Sequence, residues 1–293
     1  MNLNSFIIVA TFFDLWLAVQ FEEAVENIFA YVLILSFGIL HGANDLKLIE
    51  HSDSAGFTGK RFLNTLFYYV LFVLGSAILF YFVPAITLLL FILFSAYHFG
   101  EQHWSSKIRV PSILGSIFFM MYGLFILCLL FYVHVETVTL IITNITEIII
   151  QEDIYFYMTI FSGASMLVLF IFLTRANHSL KTNFLKELFY ISVFFVVFST
   201  ASLLWSFAIY FVLWHSIPSL VEQIGFLYGD FSKKTIINYV KSSFPYWLIS
   251  IIGICFILYL FRDNYETSLS FFFSFLAAIT FPHVLVINRI KNT

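Results

Sequence analysis

Four of the eight histidines in this sequence stand late in long apolar runs: "GILHGAND" (His41), "SAYHFGEQ" (His98), "VLWHSIPS" (His215) and "TFPHVLVI" (His283). Ionisable side chains are costly inside a membrane and, where they occur, face the interior of a bundle. Neutral imidazole is the commonest metal ligand and suits iron, copper and zinc. Each of the four lies about 11–16 residues from the start of its run, so at roughly 1.5 Å per residue they share one depth. Four imidazoles in one layer of parallel spans point to a metal centre formed by His41, His98, His215 and His283. No cysteine accompanies them, which argues against a thiolate zinc site. For any one of them alone, the competing reading is a hydrogen bond to a neighbouring helix.

Three carboxylates follow these histidines at same-face helical spacing. Asp45 is four residues after His41, Glu101 three after His98, and Glu222 seven after His215. A metal-bound imidazole usually gives its other N–H to a carboxylate or carbonyl, so the three are candidates to orient the rings; the competing reading is an ordinary acid near the end of a span. Gly42 and Gly100 lie close to two of the histidines and would let helices approach closely. Pro218 and Pro282 flank His215 and His283 and would disturb the local helix. Of the other histidines, His103 reads as interfacial or as support for the site. His51 and His178 fall in cytoplasmic loops, and His134 at the outer end of a span. Asp14 has no evident partner.

The elements that must carry these residues follow from composition. Of 293 residues, 61% are hydrophobic and 11% charged, with a mean hydropathy of +0.96. Apolar runs of about 18 or more residues recur along the chain, as in a polytopic helical membrane protein. The expected fold is all-α, one integral-membrane domain over residues 1–293. About ten spans are expected, near 5–20, 27–45, 62–82, 84–103, 111–133, 154–174, 184–202, 203–223, 244–262 and 268–288. The segment 134–153 alternates apolar with acidic, Thr or Asn residues and reads as a helix lying at the interface. Loops after even-numbered spans, together with the tail after the tenth, hold every basic residue except Arg262. By the positive-inside rule both termini are then cytoplasmic. The first run lacks a basic start and a clear cleavage site, and is expected to be a retained span. Cys128 and Cys255 lie in apolar runs and read as packing residues. A net charge of −3 gives no reason to expect a nucleic-acid partner.

At "HGANDLKL", "YHFGEQHW", "YFVLWHS" and "FPHVLV", in that order, the sequence resembles the Brp/Blh family, the membrane β-carotene 15,15′-dioxygenases of bacteria and archaea. The resemblance covers essentially the whole chain, and its first two motifs place His41 and His98 57 residues apart. It implies a multi-pass protein of a prokaryotic inner (cell) membrane that uses non-haem iron(II) and O2. The substrate would be an apolar carotenoid taken from the lipid phase, and central cleavage would give retinal. It also implies a functional link to a retinal-binding rhodopsin. By position, His41, His98 and His215 match family histidines proposed as iron ligands. Ser219 stands where the family commonly has a second histidine four residues after the one matching His215. Either His283 takes the fourth place, or three histidines hold the iron, or activity has changed; the expectation is that His283 takes it. Rival readings are another iron-dependent oxygenase acting on an apolar substrate, and a transporter or non-catalytic membrane protein. No HxxHH box of a membrane desaturase occurs.

Overall fold

The computed structural model describes residues 2–53, 59–108, 113–176 and 184–291. His178, Arg109 and Lys181 lie outside the described residues. Among the described residues the chain is helical throughout, with no strand. Eight helices are long and apolar enough to cross a membrane: Leu3–Gln20, Gly59–Phe82, Pro84–Trp104, Ile113–Val133, Glu152–Arg175, Leu203–Tyr228, Lys233–Leu260 and Glu266–Ile290. The protein is a polytopic helical membrane protein. The two remaining expected spans are also helical. One is the continuous α-helix Phe184–Thr200, of 17 residues. The other, Glu23–Leu33, runs into a π segment, Ile34–Gly38. Of the expected interfacial segment, Val135–Thr146 is helical, and Glu147 beyond it turns the chain with a φ of 60°.

In chain order the α-helices are α1 (Leu3–Gln20), α2 (Glu23–Leu33), α3 (Asp45–Ser52), α4 (Gly59–Phe82), α5 (Pro84–Trp104), α6 (Ile113–Val133) and α7 (Val135–Thr146). They continue as α8 (Glu152–Ala176), α9 (Phe184–Thr200), α10 (Leu203–Ala208), α11 (Ile217–Tyr228), α12 (Lys233–Leu260) and α13 (Tyr265–Lys291). A second π segment, Ile209–Ser216, joins α10 to α11. The chain forms two compact units, each built from separate stretches.

The first unit comprises Met1–Val32, Ile92–Leu140 and Ile149–His215. Here α6 packs on α8 and α9, and α10 on α6 and α9. The crossing of α5 and α6 is exceptionally close. A Cβ on Gly100 would fall 1.9 Å from the carbonyl oxygen of Phe119, and one on Gly123 would fall 1.8 Å from that of Ala96. Backbone therefore lies on backbone at both positions, the small-residue packing typical of membrane helices. The start of α10 is capped by Ser202 and by a carboxylate from α2: Glu26 Oε2 accepts the Ser202 N–H at 2.7 Å. Trp205 donates its indole N–H to the Asp14 carbonyl, and Trp214 to Thr11 Oγ1, tying this stretch to α1.

The second unit comprises Leu33–Phe91, Ile141–Ile148 and Ser216–Thr293. Helix α13 packs on α4, α12 and α3, and α11 on α12 and α3. Their shared apolar core is Leu48, Leu220, Ile224, Leu227, Tyr239, Val286 and Ile287. Ser232 and Thr235 form a capping box that starts α12 by satisfying two orphan amides reciprocally. Gly229, with a φ of 82°, ends α11 in the left-handed conformation that glycine adopts without strain. Gly59–Phe82 is apolar, yet only 6% of the residues in its most apolar stretch are buried, so it offers its side chains to lipid.

Candidate metal centre

The four histidines are all interior: His41 is 4% exposed, His98 1%, His215 2% and His283 3%. They occur as two pairs, one in each unit. In the second unit the rings of His41 and His283 meet edge to face, with centroids 4.8 Å apart. In the first unit His98 and His215 do the same at 4.7 Å.

In the His41–His283 pair an oxygen acceptor lies beside Nδ1 of each ring. His41 follows the π segment Ile34–Gly38, and its Nδ1 hydrogen-bonds the Gly38 carbonyl. A carbonyl only accepts, so Nδ1 carries the proton and Nε2 the lone pair. His283 lies on α13, and its Nδ1 donates to Asp45 Oδ1 at 2.7 Å. Asp45 Oδ2 in turn accepts the Tyr69 hydroxyl at 2.8 Å. With Nδ1 donating to Asp45, a neutral His283 ring carries its lone pair on Nε2. Carbonyl and carboxylate partners of this kind are what fix the tautomer of a metal-binding imidazole.

The His98–His215 pair is set by packing. His98 sits on α5 at the close crossing with α6, between Ala96 and Gly100, whose positions allow that approach. His215 lies in the second π segment, with the Phe99 ring 4.7 Å away and the Phe211 ring stacked at 5.7 Å.

Separations of 4.7 and 4.8 Å are those of ordinary edge-to-face ring contacts; they bring two imidazoles together in each unit without fixing where the ring nitrogens converge. Neutral imidazoles in a dry, apolar setting are a donor set suited to iron(II), and these residues fit it. Among the described residues no three His, Cys, Asp or Glu side chains form a ready metal-holding group; the ligand-type side chains come as pairs.

Several expectations are corrected in detail. Asp45 was expected to share a helical face with His41, but residues 41–44 form turns and α3 begins at Asp45. The imidazole hydrogen-bonded to Asp45 belongs to His283. Pro282 does not interrupt its helix, since α13 runs unbroken through it. Pro218, by contrast, falls in the first turn of α11, directly after a π segment, where the missing N–H is tolerated. Gly100 is required by close approach, whereas a Cβ on Gly42 would meet the His283 ring only at an ordinary 3.7 Å. Glu101 is buried and accepts from Tyr97 at 3.4 Å. Glu222 is exposed, and its neighbour Gln223 is the buried residue. His51 lies in the last turn of α3, not in a loop, with its ring against Phe226.

Ser219 is buried and occupied structurally. Its Oγ accepts from Gln223 Nε2 at 3.0 Å, and Gln223 Oε1 accepts the Tyr239 hydroxyl at 2.6 Å. That hydroxyl also lies 3.3 Å from the His41 carbonyl. The position that holds a histidine in the resembling family is thus part of a buried hydrogen-bond chain ending at the His41 backbone.

His103 belongs to a separate ionic cluster. Its Nε2 lies 2.7 Å from Glu187 Oε2, Lys107 Nζ lies 2.7 Å from Glu187 Oε1, and the His103 ring stacks on Tyr122. Burial pulls the Lys107 ammonium below its ordinary range, against the opposing pull of Glu187. Sequence reading missed Tyr69, Gln223, Tyr239 and Glu187. Only Glu187 left a signal, as a lone carboxylate inside an apolar run.

Neither a curated protein nor a solved structure matches the chain. A family model described as Beta-carotene 15,15'-dioxygenase matches residues 32–291, a stretch that includes all four interior histidines. The chain therefore belongs to the beta-carotene 15,15'-dioxygenase family and is a carotenoid dioxygenase, an oxidoreductase.

Proposed function

We propose that the protein cleaves β-carotene, or a closely related carotenoid, at its central 15,15′ double bond. One O2 is consumed, the C=C bond is broken, and one oxygen atom goes to each new carbonyl, giving two molecules of retinal. Iron(II), when bound, supplies the site where O2 is activated. We assign His41, His98 and His215 as its ligands, with His283 in the fourth place left by Ser219. The observation that carries this reading is the family match over residues 32–291, a stretch in which all four of these buried histidines fall.

The protein's residues do the rest by position and exclusion. Gly38 and Asp45 hold the Nδ1 protons of His41 and His283, so that each ring offers a neutral Nε2. Phe99 and Phe211 pack on His215 and keep water from it. The substrate is an apolar rod comparable to the hydrocarbon thickness of about 30 Å. It enters from the lipid phase of a prokaryotic inner membrane, in which both termini face the cytoplasm. A link to a retinal-binding rhodopsin rests on the family resemblance alone.

The test is expression in β-carotene-producing cells, followed by pigment extraction and chromatography. Loss of carotene with retinal as the only cleavage product supports the reading, provided that His41→Ala abolishes it. Unchanged carotene with iron-loaded protein overturns it, and products of unequal chain length overturn the central position of cleavage.

A further inference from the structure

We infer that Tyr69 and Asp45 are positioning residues for His283, forming a relay across three helices that aims one imidazole at the metal. The inference rests on the iron reading above and extends it to Tyr69, which lies outside every motif quoted from the sequence.

Three helices supply one member each. Asp45 is the first residue of α3, Tyr69 lies in the first half of α4, and His283 lies late in α13. The three helices pack on one another in every pairing, so the relay sits where they meet. Asp45 uses both oxygens: Oδ1 accepts from His283 Nδ1 at 2.7 Å, and Oδ2 accepts from the Tyr69 hydroxyl at 2.8 Å. The 2.7 Å bond has the length of a charge-assisted hydrogen bond, and the 2.8 Å bond that of a good O–H···O hydrogen bond. A carboxylate held at both ends cannot rotate, and the imidazole bonded to it is locked in tautomer and tilt. Gly42 lies beside that ring, an added Cβ there meeting His283 Nδ1 at an ordinary 3.7 Å.

Such a device answers a need specific to this chain. A ligand four residues after His215 would lie one helical turn away and be oriented by the helix itself. Here that place is Ser219, already bonded to Gln223. His283 comes from a different helix, so its aim depends on contacts outside that helix. Asp45 supplies the contact, and Tyr69 fixes Asp45.

The test uses the full chain, purified in detergent, stripped of metal and titrated with cobalt(II), whose visible spectrum reports its ligand field. Outer partners of metal-bound histidines change affinity about 10–100-fold when removed. Tyr69→Phe removes one oxygen and should weaken cobalt binding about 10-fold and shift its spectrum, with Asp45→Asn at the larger end of that range. The two effects should not add, because they act on the same ring. In a His283→Ala background, Tyr69→Phe should cause no further loss. Wild-type affinity and spectrum in Tyr69→Phe overturn the relay. So does an equal loss from Tyr69→Phe in the His283→Ala background, which would mark a general packing effect. If His283→Ala binds cobalt fully while His41→Ala does not, the relay falls and the iron reading stands. If His41→Ala, His98→Ala and His215→Ala also bind fully, both fall.

Discussion

Gly123→Ala adds a single methyl group at the crossing of α5 and α6, and the structure says that it should be among the most damaging small substitutions in the chain. The new Cβ would fall 1.8 Å from the Ala96 carbonyl oxygen, where 3.4–4 Å is ordinary contact. The obstacle is backbone, so no rotamer change relieves it; the helices must part by about 1.5 Å, and a gap of about 0.5–1 Å already forfeits a quarter to a half of each contact's attraction. Overpacking costs about 1–3 kcal/mol, occasionally more, and a backbone clash belongs at the upper end. Gly75, inside α4, is the control: a Cβ there meets nothing within 4 Å, and Gly75→Ala should gain up to about 1 kcal/mol from helix propensity. The assay is unfolding in mixed micelles with rising denaturing detergent, followed by tryptophan fluorescence. Gly123→Ala should unfold early and Gly75→Ala slightly late. Gly100→Ala should resemble Gly123→Ala, and the double variant should cost less than the sum, because one separation relieves both clashes. Equal stability of Gly123→Ala and Gly75→Ala would refute the close crossing.

Two further outcomes follow from buried polar contacts. Glu187→Gln leaves Lys107 and His103 without their carboxylate and should cost about 3 kcal/mol, the lower end for a broken buried pair because Lys107 is partly exposed; an unchanged unfolding midpoint would count against the cluster. Glu26→Ala removes the carboxylate that accepts the Ser202 N–H and should cost about 1–3 kcal/mol, with Glu26→Gln recovering part of it; equal stability of Glu26→Ala and wild type in the same assay would refute the cap.

Sequence periodicity and hydropathy reached the helices well and the contacts between them poorly. Long apolar runs report a solvent, and eight of them became helices of spanning length, most near the expected limits; the helix at the expected span 244–262 begins earlier, at Lys233. The four histidines were legible because an imidazole in such a run is itself anomalous. Asp45 is a case in which spacing along the chain misleads. Its spacing from His41 has meaning only on a continuous helix, and the chain turns between the two. Tyr69 was not legible at all: 24 residues separate it from Asp45, and nothing in a tyrosine among aromatic residues says which one faces a carboxylate. Glu187 was visible as an oddity, but its partners His103 and Lys107 lie more than 75 positions away. Patterns along one helix give faces; partners across helices are set by packing.

The least legible feature is the one that prepares His41. In a regular α-helix the Gly38 carbonyl would accept the Gly42 amide, and in a π-helix the Ala43 amide. Here the Gly42 N–H turns to Ile39 and the Ala43 N–H to Leu40. The π segment Ile34–Gly38 thus ends in a tightened turn that leaves the Gly38 carbonyl to the His41 ring. Within the same segment the Leu35 carbonyl takes the Trp247 indole N–H at 2.7 Å, so the wide turn also recruits a partner from α12. Irregular backbone at membrane depth is tolerated where protein satisfies it, and both carbonyls are satisfied by side chains. The second π segment, Ile209–Ser216, contains His215 and ends two residues before Pro218. There a regular helix would have asked the proline for an N–H that it lacks. The first π segment thus lies beside a histidine for a local reason, the release of an acceptor for a ring nitrogen; the second coincides with a proline, although α12 and α13 carry Pro245 and Pro282 without one. Neither irregularity changes hydropathy, which is why the runs that contain them look like ordinary spans.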